Sequence, residues 1–136
     1  MTFDEFLFIV ALILLFTLIF GSVYFLPIAI TILRSKIFGL KISLGQAKIL
    51  VKNKCVSKVF LIGVKNVWEV YPIQLDKLVN HYFAGGDLNN IKNGVSEMIK
   101  REKEPNINIL TTLDLAKRDL KSEVEKAERN NWNFEF

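Results

Sequence analysis

Residues 6–33 read FLFIVALILLFTLIFGSVYFLPIAITIL, an uncharged run that ends at Arg34. A helix needs about 20 apolar residues to cross the roughly 30 Å hydrocarbon core of a bilayer, and this run is longer than that. A secretory signal peptide has a basic head, an apolar region of about 7–15 residues and a small-residue cleavage site. Here the head carries Asp4 and Glu5 and the apolar run is too long, so the stretch reads as a retained anchor. Gly21 and Pro27 weaken a helix from within, which leaves two shapes open, a single tilted span or a re-entrant hairpin. The single span is preferred, because tilt absorbs surplus length.

Charge is distributed unevenly after the run. Residues 34–68 hold eight Lys and Arg and no acid, whereas residues 69–136 hold ten basic and twelve acidic side chains, so the formal +4 of the chain hides a local asymmetry. Cytoplasmic flanks of a span collect Lys and Arg while acids count for little. The expected orientation therefore puts the short N-terminus outside and everything after Arg34 in the cytoplasm. Each Lys or Arg near an anionic leaflet adds about 1 kcal/mol of attraction, which nominates Arg34, Lys36, Lys41, Lys48, Lys52, Lys54 and Lys58 as residues facing anionic lipid. Phosphates of nucleic acid also attract Lys, but these cations are interleaved with Ile, Leu and Val rather than with base-stacking aromatics, so no nucleic-acid partner is expected.

Within the basic belt, SLGQAKILVKN at 43–53 forms a short helix with Lys48 and Lys52 four apart and Leu44, Ala47 and Val51 at helical spacing. That pattern suits an interfacial helix with snorkelling lysines, and equally a solvated connector with positive-inside bias. The next piece, VSKVFLIGVKN at 56–66, lies on the membrane or packs on the C-terminal domain. Cys55 is the only cysteine, so no intrachain disulfide forms. It reads as a small buried or half-exposed residue, with acylation of a juxtamembrane thiol as the alternative. His81 is the only histidine and has no partners at ligand or nucleophile spacing, so neither a metal site, a cofactor nor a catalytic centre is expected.

The C-terminal half shows helical organisation. VWEVYP at 67–72 reads as a short strand ending at Pro72. Leu75, Leu78, Val79, Tyr82 and Phe83 then recur on one helical face. Gly85 and Gly86 stop that helix and Asp87 caps the next, whose inward stripe is Leu88, Ile91, Val95, Met98 and Ile99. Lys100 and Arg101 fall in its last turn, favourably for the helix dipole, and Pro105 closes it. NINIL at 106–110 reads as a second strand. Thr111 and Asp114 then offer a capping-box-like start to a third helix carrying Leu113, Ala116, Leu120, Val124 and Ala127 inward. VYPIQLDKL and ILTTLDLAK echo one another as strand, turn and helix start. The expected architecture is thus a mostly α membrane protein, with basic juxtamembrane helices and a small α-rich cytoplasmic domain holding two parallel strands in the order β-α-α-β-α. Its segments are 1–33 as anchor, 34–66 as basic juxtamembrane stretch, 67–129 as helical domain and 130–136 as aromatic tail. Trp132, Phe134 and Phe136 in that tail either dock a partner or pack back onto the third helix, and the second is preferred.

HYFAGGDLNNIKNGVSEMI at 81–99, followed by NINILTTLDLAKRDL at 106–120, resembles the bacterial flotillin-like protein A family in the combined patterns HYxAGG and DLAxRD. The upstream LPIAITILRSKIFGLKISL at 26–44 is similar to that family's membrane exit. The resemblance implies a non-enzymatic scaffold of membrane microdomains in the bacterial plasma membrane, with lipids as partners and assembly with copies of itself or with other membrane proteins. It also marks His81, Tyr82, Gly85, Gly86, Asp114 and Asp119 as a contact surface, although a helix stop followed by a helix start demands such glycines in any case. The family continues into a band-7 type domain and an Ala/Glu-rich assembly region that residues 1–136 do not contain, so assembly through those parts is not carried over. The alternative is an independent small membrane protein that binds and regulates a transporter or sensor through its apolar helix, against which Ala11, Gly21 and Ser22 offer little of the small-residue pattern of transmembrane pairing.

Overall fold

The protein, described by a computed structural model over residues 2–134, folds into seven helices in that range. The first, α1 (Phe3–Ile37), has 35 residues and at 1.5 Å per residue is about 52 Å long. A capping box starts it, with the Thr2 hydroxyl accepting from the Glu5 amide at 3.3 Å and the Glu5 carboxylate accepting from the Thr2 amide at 2.7 Å. The helix passes through Gly21 and Pro27 without interruption, so the run is one rod with no re-entrant turn. It is long and apolar enough to cross a membrane, and none of its most apolar 18-residue window is covered by the rest of the chain.

The last three turns of α1 behave differently. Ile28, Thr31 and Ser35 lie three and four residues apart on one face and are buried, packed on α2 (Leu44–Lys52), where Ala47 and Leu50 are fully buried. Small side chains at such a contact let two helix backbones approach closely. The Leu40 amide, donating to the Ser35 carbonyl at 2.8 Å across Gly39 (φ +75), turns the chain out of α1. Ser43 and Gln46 form a second capping box at the start of α2. The helix expected over 43–53 is therefore present, with Ala47 buried and Leu44 53% exposed.

Helix α3 (Lys58–Trp68) follows a cap at Ser57 and buries Phe60, Leu61, Val64 and Val67. It packs on α5 (Leu88–Lys100), so closely that a Cβ added at Gly63 would lie 2.9 Å from Leu88 Cδ1. The 56–66 segment therefore joins the core and continues helically through Trp68. Helices α4 (Leu75–Phe83) and α5 (Leu88–Lys100) are separated by the glycine turn, and α6 (Ile107–Leu115) and α7 (Leu120–Arg129) complete the body. α5 is the central element, touching α3, α6 and α7. One apolar cluster runs from Leu40 and Leu50 through Phe60, Val64, Leu78, Ile91 and Leu110 to Val124, so the basic stretch and the C-terminal helices share a core.

No strand occurs among the described residues, which overturns the expected β-α-α-β-α order. In VWEVYP, Val67 is the last member of the α3 stripe, and the Tyr71 amide donates to the Val67 carbonyl at 2.9 Å, curling the segment into a turn. In NINIL, Asn106 is a helix cap whose side chain accepts from the Ile109 amide at 3.2 Å. The residues it delivers to the core are Leu110 and Leu113, which are three apart. The single third helix is also two. α6 ends at Leu115, Lys117 adopts φ +60, and Asp119 caps α7, leaving Ala116 exposed. Ile99, Tyr82 and Phe83 are also exposed, at 41%, 36% and 60%, whereas His81 is buried in their place. In the tail, Trp132 and Phe134 pack partly against the core, with Lys103 Nζ 5.1 Å from the Trp132 ring centre. Phe136 lies outside the described residues.

Candidate functional site

The two halves of the HYxAGG and DLAxRD patterns meet in space. His81 stands in the last turn of α4 and Asp114 in the last turn of α6, and they are 4% and 3% exposed. His81 Nε2 lies 2.7 Å from Asp114 Oδ2. A carboxylate is an acceptor only, so Nε2 is the nitrogen that donates. The same oxygen accepts from the Asp87 amide at 2.7 Å, and Oδ1 accepts from Asn90 Nδ2 at 2.6 Å. Three donors from α4, the turn and α5 thus converge on one carboxylate of α6.

The glycines make this convergence sterically possible. The Gly86 amide donates to the His81 carbonyl at 3.0 Å, folding the turn back over the imidazole. A Cβ on Gly86 would overlap the His81 ring at Nε2, whereas Gly85 is required for its φ of +85. Asn90 extends the joint to α7. Its Nδ2 also donates to the Arg118 carbonyl at 2.8 Å, and its Oδ1 accepts from the Leu120 amide at 3.1 Å. Lys117 Nζ donates to the Gly85 carbonyl at 2.6 Å, so the two turns, at 84–87 and 116–119, are tied to one another.

Of the residues singled out from sequence, His81, Gly86 and Asp114 belong to this joint. Gly85 and Asp119 shape its borders, the latter by accepting from the Ser122 amide at 3.1 Å as the α7 cap. Tyr82 points away and meets Phe60 edge-on at 5.0 Å between ring centres. Asn90 is the residue that sequence reasoning missed. Its signal is its place one turn after the Asp87 cap, on the α5 face turned toward the next loop. Asp114 was expected as a capping side chain and instead is the buried acceptor, while Thr111 donates back to the Ile107 carbonyl at 2.9 Å. His81 Nδ1 is buried and without a partner among the described residues. Through Asp114 and Asn90 the pair links α4, α5, α6 and the start of α7.

Arg34, Lys36, Lys41, Lys48, Lys52, Lys54 and Lys58 are all exposed. They are gathered around the end of α1, on α2 and at the start of α3, and residues 6–68 contain no Asp or Glu. Cys55, between α2 and α3, is 3% exposed, and burial pushes its thiol up from the ordinary range. A groove of about 360 Å³ opens between α1 and the α2–α3 connection. On the far side of the body Glu97 accepts from Arg101 and pairs with Lys100 at 3.6 Å, and Arg101 Nε donates to Glu128 at 2.8 Å, linking α5 to α7. The Arg101 guanidinium, by hydrogen bond and by charge, holds the Glu97 carboxyl below the usual range, with partial burial opposing it. Compared with known proteins, the chain matches no family model, and no curated protein or solved structure is significantly similar to it.

Proposed function

We propose that this chain is a non-enzymatic, membrane-anchored scaffold or adaptor, comparable in role to the N-terminal part of a flotillin-like microdomain protein. In this reading α1 crosses a bacterial plasma membrane and the body of α2–α7 lies in the cytoplasm against anionic lipid. The observation that carries it is α1 itself, an apolar rod whose most apolar stretch is left uncovered by the rest of the chain and whose last turns join a closed helical body. Two features add support. The Lys and Arg cluster where α1 enters that body, the place where a cytoplasmic leaflet would attract them. His81 from one sequence pattern and Asp114 from the other are joined inside the body, which suits a rigid platform.

Scaffolding requires many copies together, so the deciding measurement is the mass of the particle extracted from membranes in native-lipid discs. A large homo-oligomer is the expected result and would mean that residues 1–136 suffice for assembly. A monomer overturns self-assembly and favours the reading as a regulator bound through α1 to a transporter or sensor.

A further inference from the structure

We propose that the groove between α1 and the α2–α3 connection is a binding site for one anionic glycerophospholipid, with an acyl chain against Leu26 and Ile30 and the phosphate held between Arg34 and Lys54. The proposal rests on the reading of α1 as a membrane anchor.

Leu26, Ile30 and Arg34 are spaced four apart and form one row along α1. Eight residues of helix separate the ends of that row by about 12 Å. Arg34 is the first charged side chain after Glu5, so it marks the level at which α1 leaves an apolar medium. Leu26 lies deeper by the length of a good part of an acyl chain. The row therefore runs from apolar to cationic in the sense that a phospholipid runs from chain to phosphate.

The opposite wall completes the pattern. Val51 and Val56 flank the groove, and Lys54 stands between them with φ +55. That left-handed conformation is fixed by two bonds at the end of α2, the Lys54 amide to the Val51 carbonyl at 3.1 Å and the Cys55 amide to the Leu50 carbonyl at 2.9 Å. Across from it, Arg34 Nη1 donates to the Val56 carbonyl at 3.2 Å. This fixes the guanidinium across the groove mouth while leaving most of its five N–H donors for a ligand. Leu26 and Ile30 remain 57% and 51% exposed although α2 packs on the adjacent face of the same helix. Two cations over an apolar trough match a monoanionic headgroup on a hydrocarbon chain. Arginine gives the phosphate a planar, two-pronged contact and lysine a point charge.

The test uses the full chain in lipid discs made of phosphatidylglycerol and phosphatidylcholine, with native mass spectrometry counting the lipid that stays bound after release. The wild type is expected to retain one phosphatidylglycerol in preference to phosphatidylcholine. The double variant Arg34→Gln/Lys54→Gln is expected to lose it at least fivefold. Lys36→Gln/Lys41→Gln, which removes the same charge outside the groove, is expected to lose less than twofold. Ile30→Trp, which fills the trough and keeps every cation, should also lose it, and circular dichroism checks that each variant keeps its helicity. Retention of no lipid by the wild type overturns the groove, as does equal loss from both charge pairs, which would trace the effect to the belt as a whole. Recovery of the wild type in the soluble fraction overturns the anchor reading together with the groove. Recovery in the membrane fraction without bound phosphatidylglycerol overturns the groove alone.

Discussion

Asp114 is the residue on which most of the polar interior depends, since its carboxylate accepts from His81, from the Asp87 amide and from Asn90. Removing one partner of a buried hydrogen-bonded pair leaves the others desolvated and unmatched, which costs about 3 kcal/mol or more. Asp114→Ala should lower the melting temperature of the detergent-solubilised protein accordingly. A double-mutant cycle with His81→Ala should return a coupling of about 1 kcal/mol or more, and near-additive losses would contradict the joint. Glu97 gives a second expectation, read against pH. Its folded pKa lies below its unfolded one, so its contribution is complete above the unfolded value of about 4.3 and is lost as pH falls through that region toward the folded value. Glu97→Gln should therefore lose less stability than the wild type between pH 7 and pH 3, and parallel acid profiles would remove Glu97 as a source of acid sensitivity. The turn chemistry was readable in the sequence at this scale, because Gly85, Gly86 and Asp87 announce a stop and a start. The burial of His81 was not, since its partner is 33 residues away and local spacing shows no such pairing.

At the scale of elements, α5 is the helix against which the others are measured, and glycine sets how closely they come. A Cβ at Gly94 would stand 2.8 Å from Leu120 Cβ and 3.3 Å from Leu110 Cδ2, and Leu120 Cβ is fixed to the first residue of α7 and has no rotamer by which to retreat. Alanine is favoured over glycine in a helix by about 1 kcal/mol, whereas overpacking a tight contact costs about 1–3 kcal/mol. Gly94→Ala should thus destabilise, while Gly45→Ala on exposed α2, where a Cβ meets only Ser43 Oγ at 3.9 Å, should stabilise by up to about 1 kcal/mol. Thermal unfolding of the pair checks the sign, and a rise in both would mean that α7 yields freely to α5. Of the legible helices, α1 is announced by its uncharged run, α2 by apolar residues at helical spacing, α4 by its stripe and the stop at Gly85, and α5 by its stripe and the Asp87 cap. α6 was not legible because Ile107 and Ile109 alternate with asparagines over five residues. That is too short a window to separate a period of two from a helix turn, and the deciding core residues, Leu110 and Leu113, lie at its far end. The break at Lys117 was hidden for a related reason. Leu113, Leu120, Val124 and Ala127 fit one stripe, and only the demand of Asn90 for the Arg118 carbonyl and the Leu120 amide shows why the chain turns there.

For the whole molecule, the relation of α1 to the body determines which side of a membrane each end would occupy. α1 is about 52 Å long against a hydrocarbon core of about 30 Å, and its last three turns are bound to α2, so the free length is close to what a modestly tilted span uses. Asp4 and Glu5 sit at the free end and the eight cations of residues 34–68 at the bound end, and the positive-inside bias is the ground for the proposed orientation, with the body in the cytoplasm. A continuous rod that crosses a bilayer has its ends on opposite faces. A peptide tag placed ahead of Met1 should therefore be removed by protease added to intact protoplasts, while a tag after Phe136 is spared until the membrane is opened. Protection of both tags would require the apolar run to double back in the bilayer, against the unbroken helix through Gly21 and Pro27. Removal of the C-terminal tag alone would invert the body to the outer face, where the Lys belt would meet no anionic cytoplasmic leaflet and the proposed role of Arg34 and Lys54 would fall with it.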